Sequence, residues 1–255
     1  MLEEKSVVKE LWDRQQISPL DVDYKLWEQK RENISNFSRF ASGCIFTVDV
    51  FKGIYDFASD HFSRIFGYNP RWIKTIREHG DLLEERIHPD DRQQILEYQV
   101  KHGQFIYSLP SAQRNDYQQI FQYRVCDAKR RYVNVISRQQ VIQQDKNNKA
   151  WIIMGVMDIA PDQNYSGKVR RTVINRKTGE IIRPDHNAGS AVTLTSREKE
   201  ILAMIRRGLL SKEIAARLNV SIYTIHNHRK NILAKLKVDN MMEAVNQVSV
   251  LGILD

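Results

Sequence analysis

Between Ser221 and Lys237, Tyr223, the adjacent His226 and Asn227, Lys230, Ala234 and Lys237 follow one another at steps of three or four residues. On a helix of 3.6 residues per turn they share one face, and the opposite stripe is Ile225, His228, Ile232 and Leu236, with Leu233 beside it. The polar face has no large aliphatic side chain. Its imidazole, amide and ammonium groups are donors and acceptors of the kind that meet base edges, with Asn227 suited to adenine and Lys230 to guanine acceptors. No Asp or Glu occurs from Ser221 to Lys237, whereas a merely solvated helix face more often mixes Glu with Lys. Lys212, Arg229 and Lys235 flank the face, where the phosphates of a duplex would lie; such contacts hold register without carrying sequence information. The chemistry expected of this segment is contact with DNA.

Short capped helices must position that face. "TSREKEILAMIRRG" begins with Thr195 and places Glu198 three residues on, the spacing of a capping box. Ile201, Leu202 and Ile205 supply its apolar face, and Gly208 suits a C-terminal stop. "SKEIAARLN" offers Ser211 as a cap, Ile214, Ala215 and Leu218 as one face, and Asn219 as its end. Ser221 starts the third helix, and Asn240 with Glu243 repeats the cap spacing before "MMEAVNQVSVLGIL". Two short helices joined by the tight "LNVS" turn form a helix-turn-helix.

Charge distribution agrees with that placement. Residues 1 to 165 hold 23 Lys/Arg and 23 Asp/Glu, while residues 166 to 255 hold 16 against 8, so the net charge of +8 lies wholly in the last part. Such asymmetry points to a polyanion partner for the basic half. The length of 255 residues suggests about two domains. No apolar run is long enough to span a bilayer, and the charged "MLEEKSVVKELWDRQQ" is unlike a secretory signal, so a cytoplasmic protein is expected. Cys44 and Cys126 sit in strand-like apolar segments and read as buried, inert thiols. No nucleophile elbow, P-loop or metal-spaced cluster is present, so no enzyme is expected.

The run "LTSREKEIL…GLLSKEIAARLNVSIYTIHNHRKNILAKLKV…EAV" resembles the C-terminal helix-turn-helix domain of LuxR/GerE-type transcription regulators, over about 60 residues from Leu194 to Leu254. The resemblance implies that the third helix enters the major groove and that the fourth helix carries a dimer contact. The family's base-reading positions fall on His226, Asn227 and Lys230. Phosphate contacts are expected from Lys212, Ser221, Thr224, Arg229, Lys235 and Lys237, while His228 packs or caps. The family usually has Ser or Thr where this chain has Leu210, so Ser211 is expected to cap one residue later. On the fourth helix, Met242, Val245 and Ser249 form a face not needed to cover the core of Ala244, Val248 and Leu251, and are the expected dimer contact.

The earlier residues alternate between strand and helix patterns. "GCIFTVDVFKGIYDFAS" reads as strands Cys44 to Val50 and Ile54 to Ser59 around a turn at Lys52 and Gly53. "DHFSRIFGYNP" is a short helix capped by Asp60 and ended by Gly67 and Pro70. In "IHPDDRQQILEYQVKHG", Asp90 or Asp91 starts a helix with Ile95 and Leu96 inward. "QQIFQYRVCD", "RRYVNVISRQQVI" and "AWIIMGVMDIA" are three further strands. This order, with "FxxIFGY" and "IHPDD" as landmarks, resembles a PAS domain over residues 36 to 160. An antiparallel five-stranded sheet with flanking helices is implied, followed by the all-α four-helix domain, so the fold class is α+β.

His88, Asp90 and Asp91 are read as a turn and helix cap rather than a metal site. His61, His79 and His102 could ligate haem, although surface histidines are commoner, and no Asn-Cys-Arg flavin motif occurs. No cofactor is therefore expected. Phe46, Phe57, Phe62, Phe66, Phe105, Phe121 and Tyr123 could line a sensor cavity or simply form core. Residues 1 to 35, with Trp12, Tyr24 and Trp27, form a helical segment docked on the sensor or on a partner subunit. Residues 161 to 190 are a linker in which "RTVINRKTGEIIRP" has the pattern of a β-hairpin and "DHNAGS" that of a flexible stretch, and residues 191 to 255 form the DNA-binding domain. The expected protein is a homodimeric transcription regulator that binds double-stranded DNA, senses a small molecule or protein through its PAS-like part, and has no membrane partner. The alternative is a signalling adaptor whose basic domain docks on acidic protein surfaces.

Overall fold

The computed structural model describes residues 16–73, 82–164, 167–182 and 192–254. Trp12, His79 and the "DHNAGS" stretch lie outside them. The chain divides into two compact units, residues 1–172 and 173–255.

The first unit is built on long antiparallel strands. Helix α1 (Tyr24–Ser38) precedes β1 (Cys44–Asp49) and β2 (Ile54–Ala58), and four helices follow: α2 (His61–Ile65), α3 (Pro70–Ile73), α4 (Leu82–Arg86) and α5 (Pro89–Ser108). A 3-10 turn at Ser111–Asp116 leads into β3 (Tyr117–Cys126), β4 (Tyr132–Gln144) and β5 (Ala150–Ile159). The strands pair antiparallel in the order β2-β1-β5-β4-β3. Period-two alternation decides what each strand buries: Phe121, Tyr123 and Val125 of β3 join Cys44 and Phe46 of β1, Val135 of β4 and Met157 of β5 in one core. Phe62, Phe66, Ile73, Leu83, Ile87, Ile95 and Tyr98 from the helical segment between β2 and β3 pack on the same core. Gly155 permits the tightest contact there. A Cβ at this position would lie 2.0 Å from Cζ of Phe46.

Among the described residues the sheet has seven strands where five were expected. Strand β6 (Arg170–Asn175) lies next to β3, and β7 (Ile181–Ile182) lies beyond β6. Without β6, β3 would be an edge with unpaired N–H and C=O groups. The last three residues of β6 belong to the second unit, where Val173 and Ile174 pair with Ile182 and Ile181.

Helix α1 docks on the sheet of the first unit. Asp23 caps it, accepting from the Leu26 N–H at 3.0 Å. The Tyr24 hydroxyl donates to Asp49 Oδ2 at 2.7 Å, and Trp27 Nε1 donates to Asp56 Oδ2 at 2.7 Å. Arg31 pairs with Asp56 at 2.9 Å. Trp27 is buried with Val22, Trp151 and Ile152 in a second cluster.

The start of α5 differs from expectation. Its N-cap is His88, whose Nδ1 accepts from the Asp90 N–H at 3.2 Å, with Pro89 as the first helical residue. Proline suits that position because the lost N–H had no intrahelical partner. Asp91, expected as a cap, instead accepts from the Arg124 backbone N–H at 2.9 Å and from its guanidinium at 2.7 and 3.1 Å. Asp60 precedes α2 without a side-chain cap bond.

The second unit continues through α6 (Ser196–Arg206), α7 (Ser211–Leu218), α8 (Ile222–Leu236) and α9 (Met241–Val250). Ile201, Leu202, Met204, Ile214, Ala215, Ile225, Ile232, Leu236, Ala244 and Val248 are all buried. Arg176 closes the far end: its guanidinium donates to the carbonyls of Leu251 at 3.2 Å and Gly252 at 3.0 Å. A cation there satisfies carbonyls that the ending helix leaves without partners.

Candidate nucleic-acid interface

Helix α6 starts with the capping box its sequence announces. The Glu198 N–H donates to Thr195 Oγ1 at 3.2 Å, and the Thr195 N–H donates to Glu198 Oε2 at 2.8 Å. The same carboxylate accepts from Lys235 Nζ at 2.7 Å, so the start of α6 is tied to the last turn of α8. Glu198 is 3 % exposed. Burial alone would raise its pKa, but hydrogen bonds from Lys235 and Thr195 outweigh that and hold the carboxyl below its ordinary range.

Leu210, not Ser211, is the N-cap of α7, and Ser211 is the first helical residue. Leucine has no acceptor to offer, and Glu213 compensates by accepting from the Leu210 N–H at 2.7 Å. Asn219 ends α7 at φ 52° and ψ 46°, and the Val220 N–H returns to the Ala215 carbonyl at 3.0 Å. Asparagine tolerates this left-handed conformation better than most residues, which makes the turn short. Ser221 then caps α8, accepting from the Thr224 N–H at 3.0 Å. The two hydroxyls lie 2.8 Å apart, so one donates to the other and one proton remains for an outside acceptor.

Helix α8 is two-sided. Ile225, Ile232 and Leu236 are buried, and His228 is half-buried among them. Tyr223, His226, Asn227, Lys230, Ala234 and Lys237 are all exposed, so the residues that helical spacing grouped share one open face. Lys212 is exposed. Arg229 is half-buried and donates to Ser211 Oγ at 3.1 Å, which ties α8 to the start of α7. A guanidinium has five N–H donors, so this bond leaves most of them available. Lys235, expected beside a phosphate, instead turns its ammonium to Glu198 and to the Thr193 carbonyl at 3.4 Å. A buried carboxylate needs a cation more than a solvated lysine needs a phosphate. Lys237 ends the helix at φ 50°.

On α9 the expected dimer face is narrower. Met242 is 69 % exposed and Ser249 half-buried, but Val245 is 8 % exposed and belongs to the core with Ala244 and Val248.

The first unit brings together only part of its expected cavity lining. Phe46, Phe121 and Tyr123 border a cavity of about 20 Å³ with Tyr55, Leu83, Glu84, Ile87, Ile95, Gln99, Gln139 and Met157. That space is on the scale of one water molecule. Phe62 and Phe66 are core residues away from it, Phe57 is half-buried, and Phe105 packs at 5.1 Å on Tyr117. The polar lining of Glu84, Gln99 and Gln139 was not evident from an aromatic pattern. His61 and His102 do not line the cavity. His102 Nδ1 is sealed from water with no hydrogen-bond partner among the described residues, and burial, with Arg171 adding to it, pulls the pKa down to about 3. Among the described residues no group of three or more His, Cys, Asp or Glu could hold a metal ion. Cys44 is buried, which pushes its thiol pKa up, whereas Cys126 is half-buried rather than buried. No described helix is long and apolar enough to cross a membrane.

Comparison with known proteins follows the same division. Residues 192–248 match the model of the bacterial regulatory proteins of the luxR family, and residues 55–157 match that of the PAS fold. The transcriptional regulatory protein UhpA of Salmonella typhimurium is 41% identical over 61 residues, covering 24% of this chain and 31% of UhpA. The monoamine regulon transcriptional regulator of Klebsiella aerogenes is 43% identical over 54 residues, covering 21% of this chain and 24% of that regulator. The chain thus spans less than a third of the length of these relatives. The solved complex of Vibrio cholera VqmA with ligand and DNA is similar over 87% of this chain and 88% of its own, at 14% identity and a TM-score of 0.33. The family matches fall on the two patterns the residues already carried: the capped four-helix domain is similar, over residues 192–248, to the bacterial regulatory proteins of the luxR family, and the antiparallel sheet ahead of it is similar, over residues 55–157, to the PAS fold.

Proposed function

We propose that the protein is a sequence-specific DNA-binding transcription regulator whose PAS fold receives a small molecule or a protein partner. The observation that carries the reading is the two-sided α8, with a fully exposed, acid-free polar face and an opposite stripe sunk in the core. His226, Asn227 and Lys230 meet base edges in the major groove, while Lys212, Ser221, Thr224, Arg229 and Lys237 meet phosphates at its rim. The protein works in the cytoplasm as a homodimer on an inverted repeat, with Met242 and Ser249 at the contact and the sensor unit contributing. A signal molecule enters beside Phe46, Phe121 and Tyr123, where Gln99, Gln139 and Glu84 supply polar partners. A cavity of about 20 Å³ must widen to admit it.

The test is titration of the full chain against labelled genomic fragments and a scrambled duplex over a salt series. A subset of fragments should bind at least about 1,000-fold more tightly than the scrambled one, in the range usual for specific binding. Equal binding to all, or binding to an acidic protein surface but to no duplex, would overturn the reading and favour the adaptor. Sedimentation of the chain as a monomer with and without DNA would remove the dimer.

A further inference from the structure

Beside the residues assigned to base edges, α8 displays a large side chain to which no role has been given. Tyr223 is 72 % exposed and sits at the second position of the helix. Among the described residues no hydrogen bond to its hydroxyl is found. Ile222 beside it is 50 % exposed. Side chains left this far in water at the start of a helix add little to the core behind them, and tyrosine is not a strong helix former.

Position on the helix gives Tyr223 its meaning. At about 100° per residue, Asn227 lies roughly 40° to one side of it, and Lys230 and His226 roughly 20° and 60° to the other. Tyr223 therefore occupies the middle of the base-facing strip, one turn nearer the N-terminus than its companions. In helix-turn-helix domains the N-terminal residues of the recognition helix are those that contact base edges. The phenol ring is the apolar member of a strip otherwise made of an amide, an imidazole and an ammonium. In the major groove the apolar group available is the C5-methyl of thymine.

We infer that Tyr223 is a specificity-determining residue that reads a thymine by packing its ring on the C5-methyl group, with Ile222 widening the apolar surface. The inference rests on the DNA-binding reading above. It adds a third kind of recognition to the hydrogen bonds of Asn227 and Lys230, and it requires a thymine in each half-site.

The experiment uses the full chain to select duplexes from a randomised pool. Each thymine of the selected half-site is then replaced in turn by deoxyuridine, which lacks only the methyl group. Wild-type protein should bind about fourfold more weakly at one such position, the transfer value of a single methyl group. Tyr223→Ala should bind the thymine and deoxyuridine duplexes equally there while still preferring the selected motif at its other positions. Tyr223→Phe keeps the ring and should keep the methyl dependence. The inference is overturned if wild-type protein is indifferent to every methyl, or if Tyr223→Ala retains the dependence. It is also overturned if Tyr223→Phe weakens selected and scrambled duplexes alike, which would make the hydroxyl a phosphate contact. Selection of no motif by wild-type protein would remove the DNA-binding reading itself, whereas a motif without methyl dependence removes only this inference.

Discussion

Lys235→Met removes the ammonium that pairs with Glu198 and keeps most of the apolar stem. Glu198 is 3 % exposed, and in the variant it retains the Thr195 N–H but loses its cation. Leaving one partner of a buried pair uncompensated costs about 3–5 kcal/mol. The Lys235 side chain is 34 % exposed, so water screens part of the interaction, and the expected loss falls to about 1.5–3 kcal/mol. In a domain of this size that lowers the melting temperature by roughly 10 °C. Glu198 titrates with a lowered pKa in the wild type. The stability it contributes is therefore present above the ordinary carboxylate value and lost as pH falls through the lower folded value. In the variant, burial without a cation raises that pKa, so protonation relieves the defect. The gap between the two proteins should narrow below about pH 4.

The assay is calorimetry of the full chain, with hydrogen exchange of residues 221–237 reporting on the second unit separately, because two units need not unfold together. DNA affinity across a salt series completes it. The reasoning holds if Lys235→Met loses stability and speeds exchange while its salt slope stays at the wild-type value. It is refuted if stability is unchanged within about 0.5 kcal/mol and the slope falls by about one unit, the signature of a lost phosphate contact.

Asn227→Ala and Lys230→Ala should each cost about 1–3 kcal/mol at the cognate duplex and relax preference at one base pair, whereas Lys212→Ala and Arg229→Ala weaken cognate and scrambled duplexes alike and lower the salt slope by about one unit; titration of both duplexes over a salt series separates the two groups. Gly155→Ala drives a methyl into the Phe46 ring, so urea unfolding should show the sensor unit less stable by about 1–3 kcal/mol, and an unchanged midpoint would mean the ring moves freely. His102, with its pKa pulled down to about 3 from an ordinary 6.5, binds a proton more readily when unfolded, so stability should fall as pH drops below about 6.5. His102→Gln should flatten that slope, as followed by thermal unfolding at successive pH values.

What the sequence made legible is mostly local. The capping box of Thr195 and Glu198, the Ser221 cap and the two faces of α8 depend on spacings of three to seven residues, which one helix fixes by itself. The strands β1 to β5 were legible because each is an apolar-patterned run bounded by turns, as with Lys52 and Gly53 between β1 and β2. The misses are non-local. Lys235 meets a residue 37 positions earlier, and Arg176 meets carbonyls 75 and 76 positions later. No spacing announces such pairs. Val245 is buried although it shares a side of α9 with the exposed Met242, because helical angle alone does not say how far a neighbouring helix extends over a face. The seven aromatics were divided by the sheet: Phe46, Phe121 and Tyr123 reach the cavity, while Phe62 and Phe66 of the α2 region fill the core beside it. The N-cap of α5 went to His88 because Asp91 had a stronger claim on it from Arg124.

The polar fastenings of α8 bear on how a base can be read at all. Apolar contacts through Ile225, Ile232 and Leu236 hold the helix against its neighbours, but apolar contact is non-directional and tolerates small rotations or slides. A rotation of one residue position would swing Tyr223 and Asn227 through about 100° and remove them from the exposed face on which they stand. Three hydrogen-bonded contacts oppose this along the length of the helix: the Ser221 cap at its start, Arg229 on Ser211 in the middle, and Lys235 on Glu198 in the last turn. Two of the three bind α8 to other helices, so α6, α7 and α8 are held as one piece. Directional bonds of this kind specify geometry more than they add stability. If Asn227 reads adenine as proposed, the helix needs that geometry to bring its amide within hydrogen-bonding distance. By the same logic, a variant that loosens Lys235 should lose discrimination between cognate and scrambled duplexes before it loses the fold.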